Sequence, residues 1–524
     1  MYIPLNCKTH FSILEAYQKP KEIASRIKEL GIDRVGVAEY GNLCSSIQVL
    51  SKIPNSIIGM DIDNVLVFAK NLDGWYELIK LNNGLLKLDD TKNLCVIYKS
   101  PVGNPLPNSW WGVDLNNGGE TLRKMPGRHV AIPTFISANL QGSKDFEIIM
   151  CIRDNDDMSN IKEKYKDYFN SKWHIRSYEE LIEDGYTKQE LDNTLEIGKE
   201  CSSISISGDL HIPKYEELGN KTSYEFLRDL CLNTLKERRL ENEIYQNRLE
   251  SELSVISKYK LEHYFLVVRD IVRYVNDTYG LVGVRGSAGG CLVSYLIGIT
   301  TTNPIQYKLF FERFLNEGRF TAERIQPPDI DIDMPSDARE ETIKWIRTKY
   351  GYDKTGQIMT YPTIKSPAAI KAVFRSRNTL PFAQVNEITK LLPPDHKISD
   401  KMKESGDTSV IMWCLKNKPE LLTQWVRLNE KEEIDGDYKE EFEQAIRLEG
   451  TYSARSKHAG GLIVSDIKLT ENCPLVKDDD IGEYCGWDMY DLESAGFLKI
   501  DLLGIRVLDK ILEIKELVEC NSKN

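Results

Sequence analysis

The pattern of hydrophobic and polar positions changes character along the chain. Within residues 1–215, short runs rich in β-branched and aromatic residues (RVGVAEY, NVLVFAK and HVAIPTF) are typical of strands. Alongside them, KPKEIASRIKELG and DGWYELIKLNNG repeat apolar residues at the spacing of an amphipathic helix. Because strand and helix alternate, this stretch is predicted to form an α/β domain, with a boundary in the Gly- and Pro-containing segment 208–217.

From Ser223 to about Asn276 the pattern is helical, with SYEFLRDLCLNTLKERRL followed by RLESELSVISKYKLEHYFLVVRDIVRYV. The next stretch, LVGVRGSAGGCLVSYLIG, predicts a strand, a glycine-rich turn and a helix. Helical pattern returns in SDAREETIKWIRTKYG and SPAAIKAVFRSRN, and LPPDHKISD and NKPE interrupt it within about 365–450. The end of the chain returns to β character around GGLIVSD and GFLKIDLLGIRVL.

One short strand pattern, IQPPDIDIDMP, carries three aspartates at alternate positions, which predicts that their carboxylates leave the same face. The intervening apolar residues favour a half-buried strand. Three like charges side by side repel one another unless a positive charge lies among them. The residues alone leave two readings open: a two-metal site that suits Mg²⁺, or a solvated face of an edge strand. The aspartates are Asp329, Asp331 and Asp333, and the apolar residues are Ile330, Ile332 and Met334.

Length, net charge, cysteine content and hydrophobic runs limit the classes of protein to which this chain can belong. A chain of 524 residues predicts two to four domains. The net charge of −12 gives no overall attraction to nucleic acid, so binding to nucleic acid would need a local basic surface. Eleven cysteines without a CxxC pair favour reduced thiols in a cytosolic compartment. No apolar run approaches the roughly 18 residues of a membrane span, and the N-terminus lacks the features of a signal peptide.

Three further motifs could carry chemistry. The GVRGSAGG turn presents backbone N–H groups and a hydroxyl that suit an anion, with Arg285 beside them, although such turns are often only tight turns. In SKHAGGLIVSD, His458 is by default a core or supporting histidine. In GFLKIDLLGIR, Lys499 and Asp501 alternate on a strand and Arg506 follows a glycine.

Taken in order, RGSAGGCLVSYLIGIT, LFFERFLN, PPDIDIDM, KHAGGLIVS and GFLKIDLLGIR resemble the palm motifs of the bacterial C-family replicative DNA polymerases, the α subunit of DNA polymerase III. AEYGNL, AKNLDGWYELIKL and NTLEIGKEC resemble the PHP domain of the same family. The resemblance implies an α/β and α+β multidomain fold: a PHP-like α/β domain at 1–215, a polymerase β-type palm with a mixed sheet at 216–364 and 451–524, and a helical thumb insertion at 365–450.

The resemblance also implies roles for individual residues in template-directed DNA synthesis from dNTP on a primer-template. Asp329, Asp331 and Asp501 match the catalytic carboxylates that bind two Mg²⁺ ions, with Asp333 as a supporting ligand. Gly286 and Ser287, next to Arg285, match the turn that holds the nucleotide triphosphate. A set of basic residues is expected to contact the primer or phosphate: Lys365, Lys371, Arg375, Lys457, His458, Lys499 and Arg506. The helical spacing of the first three also fits an ordinary solvated helix face.

This chain departs from the family at the metal ligands of the PHP domain. Protonated lysine and isoleucine cannot bind a metal ion. The N-terminal domain is therefore predicted to keep a structural role, without a metal site and without phosphoesterase or proofreading chemistry. The six matching positions hold Asn6, Lys8, Glu39, Tyr40, Thr134 and Ile136.

The sequence ends at Asn524, one predicted helix after Asp501, where the fingers of the family would begin. We therefore expect the catalytic, palm-containing half of a split or truncated polymerase. A second polypeptide would supply the fingers and, through it, contact with a sliding clamp. The expected location is the cytoplasm of a bacterium or a phage-infected host, with no membrane association. The alternatives are a non-catalytic DNA-binding or scaffold protein and, less well supported, a PHP-type phosphoesterase.

Overall fold

The computed structural model describes residues 1–169, 171–206, 208–316, 318, 320–321, 324–325, 328–478 and 482–522. Gln326 and Pro327, from the stretch that opens the aspartate strand, lie outside the described residues. The chain divides into two compact units. The first unit combines Met1–Ser205 with Tyr361–Ser456, and the second combines Ile206–Thr360 with Lys457–Asn524.

The N-terminal part of the first unit is an eight-stranded mixed sheet with flanking helices, as the alternating pattern predicts. The sheet order is β7-β6-β5-β4-β3-β2-β1-β8, parallel except for the β3–β4 and β4–β5 pairs. The strands are β1 (Asn6–Cys7), β2 (Gly36–Tyr40), β3 (Ile57–Ile62), β4 (Val65–Ala69), β5 (Leu94–Tyr98), β6 (Trp110–Val113), β7 (His129–Ala131) and β8 (Thr134–Phe135). The helices are α1 (Pro20–Glu29), α2 (Ser46–Lys52), α3 (Leu72–Asn82), α4 (Leu140–Asp154), α5 (Met158–Lys164), α6 (Lys166–Phe169), α7 (Tyr178–Glu183) and α8 (Lys188–Glu200).

The stretch 206–360 of the second unit begins with three long helices, and its glycine-rich segment forms the predicted strand, turn and helix. The continuous helical pattern after residue 248 is broken at 259–261, so that two helices form. The helices are α9 (Ser223–Glu237), α10 (Glu243–Lys258), α11 (Glu262–Tyr279), α12 (Leu292–Leu296) and α13 (Ala338–Tyr350). The strands are β9 (Gly283–Arg285), β10 (Phe320–Thr321), β11 (Arg324–Ile325), β12 (Asp331–Met334) and β13 (Thr355–Thr360).

The stretch 361–456 returns to the first unit and is mainly helical. Its buried residues, among them Phe374 and Phe442, form one apolar core with Phe146 and Ile149 of α4. The elements are α14 (Ser366–Arg377), α15 (Phe382–Leu391), α16 (Asp395–Ser405), α17 (Val410–Asn417), α18 (Lys439–Leu448) and the hairpin of β14 (Arg427–Leu428) and β15 (Ile434–Asp435). The two stretches of the first unit thus share a hydrophobic core.

The last stretch completes the sheet of the second unit. The seven strands are ordered β17-β18-β13-β16-β19-β12-β9. Buried residues of helices α10, α11 and α13 form one hydrophobic core with buried residues of this sheet. The new elements are β16 (Ser456–Val464), α19 (Leu469–Asn472), β17 (Leu475–Asp478), β18 (Gly482–Cys485), α20 (Met489–Ser494), β19 (Lys499–Gly504) and α21 (Arg506–Ser522). Among the described residues, no helix is both long and apolar enough to cross a membrane.

Within the first unit, His10 is buried and stacks on Tyr452, with ring centroids 3.9 Å apart and ring planes 7° from parallel. The pKa of His10 falls from its ordinary value of 6.5 to about 3, mainly because burial disfavours the charged ring and also because Lys19 is nearby. Below pH 6.5 the unfolded chain takes up a proton at this position that the folded unit does not, so the folded unit loses stability as the pH falls.

The expected loss is about 2 kcal/mol between pH 7 and pH 5, at about 1.4 kcal/mol per unit of pH below the unfolded pKa. The variant His10→Phe keeps the stacked ring and removes the titration. Its free energy of unfolding, measured by urea denaturation, should therefore fall less steeply over this range than that of the unsubstituted chain. His396→Phe, at an exposed position on α16, is the matched control and should keep the original slope. Equal slopes for both variants would contradict this assignment.

Candidate active site

The aspartate strand β12 lies inside the sheet of the second unit, between β9 and β19. Asp331 is opposite Arg285 on the antiparallel neighbour β9 and opposite Asp501 on the parallel neighbour β19. The apolar residues that alternate with the aspartates are all buried, so the prediction of a half-buried strand is confirmed. They are Ile330, Ile332 and Met334.

The three carboxylates of Asp329, Asp331 and Asp501 form one cluster, in which ligand oxygens lie within 4.8 Å of one another. Asp329 precedes the strand and is exposed, Asp331 is half-buried and Asp501 is buried. One cation compensates part of this charge. The Nζ atom of Lys499 lies 2.8 Å from Oδ2 of Asp501 and 4.0 Å from Oδ2 of Asp329.

The crowding of like charges shifts the titration of these groups. Burial raises the pKa of Asp329 and of Asp331, and the neighbouring carboxylates add to this increase. Lys499 opposes the increase for Asp329, and Arg285 and Lys499 oppose it for Asp331. For Lys499, burial tends to lower the pKa, but the hydrogen bond to Asp501 and the charge of Asp329 outweigh burial and raise it. The raised pKa values indicate that Lys499 and Arg285 do not fully balance the negative charge of the cluster, which suits an additional cation.

The donor set also fits a divalent cation. Oδ1 of Asp501 is buried and has no hydrogen-bond partner within the described residues. A buried carboxylate oxygen without a donor is unfavourable unless another positive group satisfies it. Carboxylate oxygens are hard ligands of the kind that Mg²⁺ prefers.

Asp333 does not belong to this cluster. Its Oδ2 atom pairs with Nε of Arg285 at 2.5 Å, and its side chain is largely buried. The ion pair links β12 to β9 immediately before the glycine-rich turn. Arg285, expected to contact triphosphate, thus contacts a carboxylate of the sheet here, although its side chain stays more than half exposed.

The turn Gly286–Gly290 lies beside the carboxylates. Gly286 has a φ of +81°, a conformation that side-chain-bearing residues rarely adopt, and a Cβ atom placed on it would lie 3.5 Å from Oδ2 of Asp331. Gly286 is exposed and Ser287 is half-buried. The structure therefore brings the predicted triphosphate turn and the predicted metal ligands together within the second unit.

The other basic residues predicted for this part of the chain lie on β16, β19 and α21. Nδ1 of His458 accepts hydrogen bonds from the backbone N–H groups of Gly460 and Gly461, at 3.2 Å and 2.7 Å. Burial lowers the pKa of His458, which favours the neutral ring. Because Nδ1 accepts these two hydrogen bonds, the ring hydrogen of the neutral form is on Nε2. Lys457 pairs with Glu340 at 3.5 Å, and Arg506 is exposed at the start of α21.

The three remaining basic candidates belong to the first unit, at the start of α14 and along it. Lys365 forms an ion pair with Asp395 at 3.1 Å, and Arg375 donates a hydrogen bond to Asn155 at 2.9 Å. Lys371 is half-buried. Contact of these residues with primer or phosphate stays a prediction.

The positions that match the metal ligands of the family's PHP domain hold residues whose contacts do not suit a metal ion. Lys8 is completely buried, and its Nζ atom donates to Oδ2 of Asp61 at 2.6 Å and to the carbonyl oxygen of Ala38 at 2.5 Å. Lys99 pairs with the other oxygen of Asp61. The Tyr40 ring lies 4.4 Å from the Lys8 ammonium. A lysine ammonium, held by a carboxylate and a carbonyl, thus supplies the positive charge at this position.

The neighbouring positions are also engaged within the protein. The carboxylate of Glu39 is buried and accepts hydrogen bonds from the backbone and hydroxyl of Thr9 and from the hydroxyl of Ser12. The amide of Asn6 donates to Oγ1 of Thr134 at 2.9 Å. Ile136 is buried. These contacts leave an internal polar network and offer a metal ion no set of ligands.

Two residues that the sequence analysis did not single out support the aspartate strand. The hydroxyl of Tyr264, which is buried on α11, donates to the carbonyl oxygen of Pro328 at 2.7 Å. Nε of Arg339, on α13, donates to the carbonyl oxygen of Leu502 at 3.0 Å. Tyr264 falls within the apolar face of α11, and a hydroxyl at such a position is the signal that could have identified it.

Comparison with known proteins assigns a family to these features. A family model described as the bacterial DNA polymerase III alpha NTPase domain matches residues 225–504. This range contains the turn, the aspartate strand and Asp501.

Curated relatives named DNA polymerase III subunit alpha align over almost the whole chain. The protein from Borreliella burgdorferi is 29% identical in an alignment 603 residues long, which covers 99% of this chain and 49% of that protein. The protein from Aquifex aeolicus is 26% identical over 613 residues, covering 99% and 52%, respectively. One from Staphylococcus epidermidis is 32% identical over 541 residues, covering 98% and 48%. The chain spans about half the length of these relatives.

Proposed function

Because the chain belongs to the bacterial DNA polymerase III alpha family, we propose that its second unit carries the nucleotidyl-transfer centre of a template-directed DNA polymerase. The observation that carries this proposal is the cluster of Asp329, Asp331 and Asp501 beside the turn that contains Gly286 and Ser287. The substrates are a primer-template DNA and a dNTP. The assignment of the second unit as the palm, and of α14–α18 as the thumb, is part of the same proposal.

Each group has a role that follows from its chemistry. Asp329, Asp331 and Asp501 would hold two Mg²⁺ ions, which would supply Lewis-acid stabilisation of the primer 3′-oxygen and of the pyrophosphate leaving group. Lys499 balances part of the carboxylate charge and is close enough to the cluster to contact a phosphate oxygen. Backbone N–H groups of the turn and the hydroxyl of Ser287 hydrogen-bond the triphosphate.

We further propose that Arg285 exchanges partners when a nucleotide binds. Its guanidinium is mostly exposed beyond its bond to Asp333, so it can donate to a phosphate oxygen without leaving the strand. In this proposal the main role of Asp333 is to support Arg285 and β9, and metal binding is only a secondary role. Lys457, His458 and Arg506 remain candidates for contact with the primer or with phosphate.

The N-terminal part of the first unit is proposed to be a PHP-like domain with a structural role. The Lys8–Asp61 pair at the expected metal position supports this role, because the ammonium supplies internally the charge that a metal would bring. No step of catalysis is assigned to this domain.

One surface of the second unit supports association with further polymerase sequence. Helix α21 exposes an apolar stripe whose members are between 37% and 65% exposed and recur at helical spacing. An apolar stripe of this kind is typical of a helix that packs against another polypeptide. We propose that it packs against the region corresponding to the second half of the relatives. Its residues are Val507, Ile511, Ile514, Leu517 and Val518.

Primer extension tests the proposal. The chain is assayed alone and together with a polypeptide corresponding to the second half of the relatives, on a primed DNA template with dNTPs and Mg²⁺. We expect robust synthesis only from the mixture, and loss of synthesis when EDTA is added. Equal synthesis by the chain alone would contradict the need for a second polypeptide. No synthesis under any condition, with DNA binding retained, would favour a scaffold function.

A further inference from the structure

Helix α10 carries a charged pair, Arg248 and Glu252, on the side that faces the protein interior. Glu252 is completely buried, and Leu249, Leu253 and Ile256 surround it along the apolar stripe of the helix. The side chain of Arg248 is 26% exposed. A buried carboxylate is costly unless it is paired and hydrogen-bonded, so its contacts indicate what it stabilises.

Glu252 holds the chain immediately after the glycine-rich turn. Its Oε2 atom accepts a hydrogen bond from the backbone N–H of Val293 at 3.0 Å and one from the thiol of Cys291 at 3.2 Å. Its Oε1 atom accepts from Nε of Arg248 at 2.6 Å. The carboxylate thus satisfies a backbone donor at the start of α12 and fixes the position of Arg248.

Arg248 binds the backbone of Gly290, the last residue of the glycine-rich turn. One guanidinium nitrogen donates to the carbonyl oxygen of Gly290 at 3.0 Å and to that of Leu309 at 3.3 Å. The same two segments touch directly, because a Cβ atom on Gly290 would lie only 2.7 Å from the carbonyl oxygen of Phe310. The arginine therefore ties the end of the turn to the segment against which it packs.

We infer that the Arg248–Glu252 pair positions the Gly286–Gly290 turn for the triphosphate and thereby sets the affinity of the site for nucleotide. The inference rests on the proposed function. Neither residue is a catalytic residue, since Arg248 acts through the backbone of the turn and Glu252 acts through Arg248 and the start of α12. A loop that is ordered before binding loses less conformational entropy when the ligand binds, so loss of this support weakens binding.

Binding of inorganic tripolyphosphate and of dATP, each with Mg²⁺, is measured by titration calorimetry on the full chain. Arg248→Met keeps most of the side-chain volume and removes the three hydrogen bonds of the guanidinium. We expect its dissociation constants for both ligands to rise about tenfold. The matched control is Arg228→Met, which removes an exposed ion pair at 2.7 Å between Arg228 of α9 and Glu250 of α10, and should change both constants less than about twofold.

A second readout separates positioning from a general effect on folding. In primer extension by the assembled polymerase, Arg248→Met should raise the KM for dNTP about tenfold and change kcat less than about twofold. A general loss of folded protein would instead lower kcat at unchanged KM. Arg248→Lys keeps the charge beside Glu252 but lacks the planar fork, so an intermediate KM is expected.

Two results would overturn the inference: equal triphosphate affinity of Arg248→Met and the unsubstituted chain, or no triphosphate binding by the unsubstituted chain. Failure of the proposed function would look different. In that case the assembled protein would not incorporate nucleotide at all, while the calorimetric comparison of the two arginine variants would still report on the turn.

Discussion

Asp331→Asn should abolish Mg²⁺-dependent nucleotide incorporation by the assembled polymerase, with a loss of at least about a thousandfold. The amide keeps the size of the side chain but carries no negative charge and offers only one oxygen. Asp331 is at the centre of the site, since it lies opposite both Arg285 and Asp501 in the sheet and next to Gly286. Single-nucleotide incorporation on a primed template measures the effect.

The same substitution should not weaken the fold. The pKa of Asp331 is raised by burial and by the charge of Asp501, so its ionised form is unfavourable in the folded unit without metal. A carboxyl group with a raised pKa stabilises the fold fully only below its unfolded pKa, and loses that contribution as the pH rises through the folded value. At pH 7 without Mg²⁺, the variant is therefore expected to unfold at the same or a higher urea concentration than the unsubstituted chain.

Mg²⁺ should reverse this order of stability. A cation that binds only the folded unit stabilises it by mass action, and the variant lacks one of its ligands. The matched control is Asp337→Asn, which makes the same chemical change at an exposed position just after the strand. It should retain incorporation and the stabilisation by Mg²⁺. Incorporation by Asp331→Asn at the level of the control would move the active site elsewhere.

The site could be predicted from the sequence wherever its residues follow a local pattern. The alternation in PPDIDIDM predicted which apolar side chains of the strand are buried, and Ile332 and Met334 are both buried as expected. It did not predict that Asp333, on the aspartate face, is buried as well, in its ion pair with Arg285. The glycine-rich turn was predicted from the run of glycines in GVRGSAGG, and Gly286 has a φ of +81° in the structure. No local pattern in the sequence predicts that Asp501, far along the chain, lies beside this strand. It was expected only from the resemblance to a family, and strand pairing in the structure brings it there.

Contacts that depend on strand register and on helix orientation could not be predicted. The pairing of Arg285 with Asp333 requires β9 to lie beside β12 with Gly283 opposite Asp333, which no local pattern specifies. Arg248 and Glu252, four residues apart on a helix, have the spacing of an ordinary surface ion pair. Only the position of Glu252 within the apolar stripe of α10 distinguishes it.

Lys8→Met should destabilise the first unit by about 3–5 kcal/mol, the cost of leaving one partner of a buried ion pair uncompensated. Lys8 is completely buried, and Asp61 is 5% exposed. Methionine matches the shape of the lysine stem, so the change removes mainly the ammonium and its hydrogen bonds to Asp61 and Ala38. Urea denaturation monitored by tryptophan fluorescence measures the loss, and EDTA should leave the unfolding of the unsubstituted first unit unchanged.

The second lysine of this network provides the control. Lys99 pairs with the same carboxylate but is 26% exposed, so Lys99→Met should cost about 1 kcal/mol or less. The double variant Lys8→Met with Asp61→Leu removes both buried charges and should recover much of the stability lost in Lys8→Met. If Lys8→Met is no less stable than Lys99→Met, water must reach Asp61 in the variant. The Lys8 ammonium would then not be needed to stabilise this end of the sheet in place of a metal ion. A rise in stability on adding Mn²⁺ to Lys8→Met would instead mean that removal of the lysine allows Asp61 and Glu39 to bind a metal ion.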